Sequence, residues 1–240
     1  MYLYGKNSVA ERLKKNPKSI SLIYLEDTFS DSSIEGCIKR NNLTVRKLPP
    51  DKFSKIKHSS NIQGIIAEVG SFEYADFDEI LQEGIEKNNI LVFLDRIYDP
   101  QNLGAIMRTL ACFGGFSLVI PKHKACEVTE TVLHVACGAE NYVKVAMVSN
   151  IPNAVIKAKR EGLWIMGAVL GDGAKDLNTV SIPFPLGVVL GSEGEGVRYG
   201  VDKHIDIRAK IPMHGAGLSY NVSIAAAIFC YEINRQKNEK

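Results

Sequence analysis

Hydrophobic positions in the first third of the chain change period several times. Val9 and Leu13 share one face of a helix over residues 5–16, and ISLIYL at 20–25 reads as a short strand. A helix over 33–41, a strand over 44–48, a short helix over 50–56 and a strand over 65–69 follow. This alternation predicts a small α/β unit with a parallel or mixed sheet. Gln63 and Gly64, at the entry to the last strand, read as turn residues. Residues 71–89 are acidic and break the pattern, yet Phe77, Ile80, Leu81 and Ile85 line up as a helical face. The expected organisation is an N-terminal domain at 1–70, a linker with a helix at 71–89, and a second domain at 90–240.

The second domain opens with ILVFL at 90–94, a continuous apolar run suited to a strand buried on both faces. A polar loop at 95–104 leads to a helix at 105–113, with Ile106, Leu110 and Phe113 inward. Strands at 116–120, 143–148, 163–169, 186–190 and 205–211 alternate with helices at 127–137 and 150–161, the latter capped by Asn150. The pattern predicts a doubly wound sheet with ligands outside the carboxyl ends of its strands. Three loops stand at such ends: 95–104, 191–196 and 211–221. In the third, Gly215 and Gly217 run into Ser219-Tyr220-Asn221, ahead of an alanine-rich apolar helix over 222–231. Ser219 is the expected N-cap of that helix. Glycines before a helix start let a ligand approach the backbone, where free N–H groups suit a polar or anionic group.

Composition narrows the class. With 240 residues, 45% hydrophobic and 23% charged, the chain reads as an ordinary globular protein. No apolar run approaches the roughly 20 residues of a membrane helix, and the start lacks the order of a signal peptide. Five cysteines without a C-x-x-C spacing argue against a disulfide framework or zinc site and for a cytoplasmic protein with reduced thiols. The net charge of +2 is uneven: residues 1–70 hold 12 Lys/Arg against 7 Asp/Glu, a balance of +5. An RNA-binding surface and a solvated lysine surface both fit that balance. The G-x-G-x-x-G, P-loop and G-x-S-x-G signatures are absent, and no histidine pair has metal spacing.

The segments LDRIYDPQNLGAIMRTLACFGG, VVLGSEGEGV and IPMHGAGLSYNVSIAAA, in this order, resemble the three motifs of the SpoU branch of SPOUT RNA methyltransferases. YGKNSVAERL, NIQGIIAEV and HVACGAENYVKV are most similar to the bacterial 23S rRNA guanosine-2′-O-methyltransferase group. The resemblance implies an L30e-like RNA-binding N-terminal domain and a methyltransferase domain with a C-terminal trefoil knot, a feature that general expectations for protein topology disfavour. It also implies a homodimer, no metal and no membrane, with methyl transfer from S-adenosylmethionine to a ribose 2′-hydroxyl of RNA, rRNA foremost. Cofactor contacts are implied at Leu170, Leu190, Gly191, Ile211, Met213, Leu218 and Tyr220, and catalytic roles at Asn102, Arg108, Glu193, Ser219 and Asn221. Tyr220 departs from the usual leucine of the third motif, and His214 has no assigned role.

A ribose hydroxyl is a poor nucleophile at neutral pH, and it must line up with the bond that breaks. Arginine titrates above about 12 and is a weak base. Arg108 therefore reads as a cation that binds the adjacent phosphate and stabilises a developing alkoxide, with the proton acceptor open between Arg108 and a phosphate oxygen. Asn102 would orient Arg108 or the substrate, Glu193 would hold the motif loops together or contact the nucleotide, and Ser219 and Asn221 would bind RNA or the arginine. Taken singly, each has a plainer reading: an exposed ion-pair partner, a helix cap, a solvated carboxylate. Their occurrence together in three motifs favours the functional one. A tRNA ribose methyltransferase and a non-catalytic RNA-binding protein are the alternatives.

Overall fold

The computed structural model describes residues 1–57, 62–171, 173–192 and 194–239. In the N-terminal part the elements are β1 (Tyr2–Tyr4), α1 (Lys6–Lys15), β2 (Ile20–Glu26), α2 (Ser32–Arg40), β3 (Val45–Leu48), α3 (Pro50–Ile56) and β4 (Ile65–Val69). They form a mixed four-stranded sheet in the order β1-β4-β2-β3, with only β2 and β3 parallel. β1 is too short to show as a periodic run, and it is fixed by antiparallel pairing of Leu3 with Ala67. Gln63 and Gly64 have φ of +57° and +72°, in keeping with their reading as turn residues.

α4 (Phe77–Glu86) precedes the second sheet, formed by β5 (Ile90–Asp95), β6 (Phe116–Pro121), β7 (Val145–Val148), β8 (Trp164–Ala168), β9 (Lys175–Asp176), β10 (Leu186–Gly191) and β11 (Ile207–Lys210). All seven strands are parallel, in the order β7-β6-β5-β10-β8-β11-β9. The remaining helices are α5 (Pro100–Phe113), α6 (Glu130–Ala136), α7 (Ile151–Arg160), α8 (Tyr199–Asp202) and α9 (Val222–Asn238).

Strand residues alternate between two apolar layers because successive side chains point to opposite faces. Ile90, Val92 and Leu94 meet the layer containing Ile106 and Leu110 of α5, Val132 of α6 and Phe229 of α9. Leu91 and Phe93 meet Ile80 of α4, Val155 of α7 and Val201 of α8. Both faces being covered explains why ILVFL shows no polar alternation.

Three expectations are corrected by local chemistry. α5 starts at Pro100 rather than after a ten-residue loop, because Asp99 caps it through Gln101 N at 2.9 Å and Pro100 takes the first helical position. Asn102 and Gly104 therefore lie inside the helix. Ser219 is not the cap of the terminal helix: Asn221 is, accepting from Ser223 N at 2.8 Å and from Ser223 Oγ at 2.6 Å. α6 begins three residues later than its periodicity suggests, where Thr129 accepts from Val132 N. α7 carries the expected Asn150 cap, with Asn153 N at 2.9 Å.

The N-terminal sheet unit docks on α6 and the turn after it. The Tyr4 ring stacks on His134 at 4.2 Å and 16°. Glu130 accepts from Tyr2 N at 2.7 Å and from Lys57 Nζ at 2.5 Å, and Arg12 pairs with Glu140 at 3.2 Å. Among the described residues no helix is long and apolar enough to cross a membrane.

Candidate active site

Along the sheet, chain order reverses between β5 and β10, which is where a doubly wound sheet opens a crevice at its carboxyl ends. On the β10 side of that reversal, a cavity of about 650 Å³ lies between the ends of β8, β10 and β11 and the start of α9. Its apolar side is formed by Leu190, Ile211, Val222 and Phe229. The loop after β10 supplies another wall through Gly191, Ser192, Gly194, Glu195, Gly196 and Val197. The loop folds back so tightly that a Cβ on Gly191 would sit 2.1 Å from the Gly196 carbonyl carbon and 2.3 Å from Val197 N. Backbone packed that closely leaves only glycine.

Six of the seven residues expected around a cofactor line this cavity: Leu170, Leu190, Gly191, Ile211, Met213 and Tyr220. The seventh, Leu218, is 75% exposed and lies outside the lining. Tyr220 is 45% exposed, so its ring stands at the mouth rather than filling the space that a leucine would leave.

The expected catalytic residues divide. Ser219 lines the cavity. Asn221, between the lining residues Tyr220 and Val222, donates from Nδ2 to Asn102 Oδ1 at 2.9 Å. That hydrogen bond ties the buried first turn of α5 to the start of α9 across 119 residues of chain. Arg108 is exposed and stands apart, in an apolar depression shared with Ala105, Thr109, Cys112, Phe113, Val135 and Ala227. One of its guanidinium nitrogens lies 3.6 Å from Cys137 Sγ. Glu193 lies outside the described residues. His214 is exposed and does not line the cavity.

Sequence reasoning passed over the residues that hold the glycine loop. Asp95, fully buried at the end of β5, accepts from Arg198 Nε at 2.9 and 3.0 Å, from Arg198 Nη2 and from the Arg198 backbone N at 3.1 Å. Hydrogen bonding to Asp95 holds the Arg198 guanidinium above its ordinary pKa. Arg96 follows with φ +64° and pairs with Glu195 at 2.5 Å. On the far side Arg208 pairs with Asp202 at 2.7 Å, both at the cavity wall. The available signal was Asp95 itself, a carboxylate ending an otherwise apolar strand; a charge so placed has to be paired.

Among the described residues no group of three or more His, Cys, Asp or Glu is placed to hold a metal. The polar groups lining the cavity are backbone, the hydroxyls of Ser192 and Ser219, the phenols of Tyr199 and Tyr220, the carboxylates of Glu195 and Asp202, and the cations Arg208 and Lys210. Such a site can bind a mostly apolar small molecule with a polar end.

Comparison with known proteins converges on one family. The SpoU rRNA methylase family matches residues 89–231, and the RNA 2′-O-ribose methyltransferase substrate-binding family matches residues 2–75. The Bacillus subtilis protein YacO, named for the TrmH family of tRNA/rRNA methyltransferases, is 34% identical over 241 residues, which span 99% of this chain and 96% of its own. The 23S rRNA (guanosine-2′-O-)-methyltransferase RlmB of Neisseria meningitidis is 33% identical over 245 residues, or 99% of this chain and 97% of its own. The SpoU methyltransferase AviRb from Streptomyces viridochromogenes, solved with AdoMet, has the same fold. Its TM-score is 0.83 at 18% identity, over 100% of this chain and 91% of its own.

Proposed function

Because the chain belongs to the SpoU rRNA methylase family, we propose that it is an S-adenosylmethionine-dependent RNA ribose 2′-O-methyltransferase whose target is a guanosine of 23S rRNA. The observation that supports the reading is the Asn221–Asn102 hydrogen bond at the lip of the 650 Å³ cavity, which joins the first and third motifs beside the proposed cofactor site. The target follows the relatives named for that RNA, and a cytoplasmic location goes with it.

The cavity suits the cofactor. Its volume falls within the roughly 300–1,000 Å³ of small-molecule pockets, with an apolar side for the adenine and a close-packed glycine turn whose backbone can face a ligand. When bound, S-adenosylmethionine supplies an electrophilic methyl group. Leu190, Gly191 and Ile211 would hold the adenosine end, with Leu170, Met213 and Tyr220 at the mouth. Asn102 and Asn221 fix each other, so that Ser219 and the first turn of α9 present donors to the RNA in one geometry. Arg108 binds the phosphate beside the target ribose and offsets charge developing on the 2′-oxygen.

Arg108 lies outside the cavity in the single chain, and the apolar surface around it supports a homodimer. Ile224 and Tyr231 of α9, 49% and 62% exposed, continue the depression along a helical stripe through Ala227. A second copy covering this stripe brings Arg108 into an enclosed site. The N-terminal unit, matched by the substrate-binding family and carrying the +5 balance, serves as the L30e-like RNA-binding module. The segments after β10 and after β11 wall one cavity together, as the trefoil knot would require.

The test is transfer of tritiated methyl to RNA by the wild type and Arg108→Ala. Substrates are bulk tRNA and rRNA from cells lacking the matching modification. Label in large-subunit rRNA that mapping places on a guanosine 2′-oxygen, and that the variant loses, is the expected result. Label in tRNA alone redirects the substrate, and no label in either overturns the activity.

A further inference from the structure

Two consecutive residues at the end of β5, Asp95 and Arg96, reach across to two points of the glycine loop that walls the cavity. Asp95 holds Arg198 at its far end, and Arg96 holds Glu195 at its middle, 2.5 Å away. Neither Asp95 nor Arg96 lines the cavity. Asp95 is built into the fold: it is fully buried and its carboxylate accepts both the guanidinium and the backbone N–H of Arg198.

Arg96 has two unfavourable features with no return in stability. Its φ of +64° is a conformation that a long side chain adopts at a cost. Its Nε is buried without a hydrogen-bond partner among the described residues. What it gains in exchange is one ion pair to Glu195, a side chain that is 67% exposed. An exposed pair of that kind contributes little to folding. Strain and an unpaired donor concentrated on one residue beside a site point to a functional constraint.

We propose that Arg96 is a positioning residue for S-adenosylmethionine: through Glu195 it draws the glycine loop against the cofactor, with the Asp95–Arg198 pair as the fixed hinge. This rests on the reading of the cavity as the cofactor site. The cofactor is the ligand class because Glu195, the residue drawn in, lines that cavity together with Gly191, Gly194 and Gly196.

Glycine at position 96 separates this role from a structural one, since it removes the side chain while relieving the backbone. Binding of S-adenosylmethionine and S-adenosylhomocysteine is measured by calorimetry for wild type, Arg96→Gly and the charge exchange Arg96→Glu/Glu195→Arg, beside ligand-free melting temperatures. Arg96→Gly should melt at or above the wild-type temperature yet bind about two- to five-fold more weakly, the range of an exposed pair. The charge exchange should restore binding. Wild-type affinity should fall more steeply than that of Arg96→Gly as ionic strength rises from about 0.01 M to about 1 M, since screening removes the pair. In turnover, KM for the cofactor should rise with kcat unchanged. Equal binding by wild type and Arg96→Gly overturns the proposal, as does a weakened Arg96→Gly that the charge exchange fails to rescue. Absence of cofactor binding by the wild type overturns the cofactor reading itself.

Discussion

Replacing Gly191 by alanine tests how the cofactor wall is built. The new Cβ would lie 2.1 Å from the Gly196 carbonyl carbon, 2.3 Å from its oxygen and 2.3 Å from Val197 N, all backbone atoms that no rotamer change can move. Ordinary contact needs a separation of about 3.4 Å or more, so the loop has to retreat by about 1 Å. Gly191 is not in the left-handed region, so alanine brings no strain of its own and the effect is purely steric. A displacement of about 1 Å in a positioning element costs on the order of 100-fold, or about 2.7 kcal/mol. The rate of methyl transfer should fall by about that factor, and affinity for S-adenosylmethionine, measured by calorimetry, should fall with it. Gly194→Ala, in the same loop with nothing within 4 Å of its Cβ among the described residues, should bind like the wild type. Binding by Gly191→Ala within about three-fold of wild type would show that the loop yields freely and refute the steric account.

Asn221 combines two roles that substitution can split. Asn221→Asp keeps the oxygen that caps α9 but loses the donor to Asn102, so melting should hold while methyl transfer drops at least ten-fold; Asn221→Ala should lose about 1 kcal/mol of stability as well. In α9, hydrogen bonding from Arg235 holds the Glu232 pKa below its ordinary value. That contribution is complete above the ordinary carboxylate pKa and is lost as pH falls through the lowered one. Glu232→Gln should therefore melt with a shallower dependence on pH on the acid side, and an unchanged slope would contradict the assignment.

Elements with strong apolar periodicity were legible from sequence: β5 announces burial on both faces, and α7 even shows its cap. What escaped was set by tertiary pairing or by one competing residue. β1 and β9 are too short to carry a period and exist through their partners. The terminal cap was misplaced by two residues because Ser219 and Asn221 are both good caps, and only the bond to Asn102 settles the choice. At the site, six of the seven cofactor residues that the resemblance named line the cavity, but Leu218 does not and Arg108 sits in a separate depression. Asp95 and Arg96 went unread because each acts through a residue about a hundred positions away.

The stack of Tyr4 on His134 and the polar contacts around Glu130 and Glu140 make the N-terminal unit a fixed gauge rather than a swinging arm. Under the proposed role of that unit in gripping RNA, the cavity would receive only the nucleotide that lies one set span away. Selection would then work by measured distance along a folded RNA, with no side chain needed to recognise the sequence between the two points.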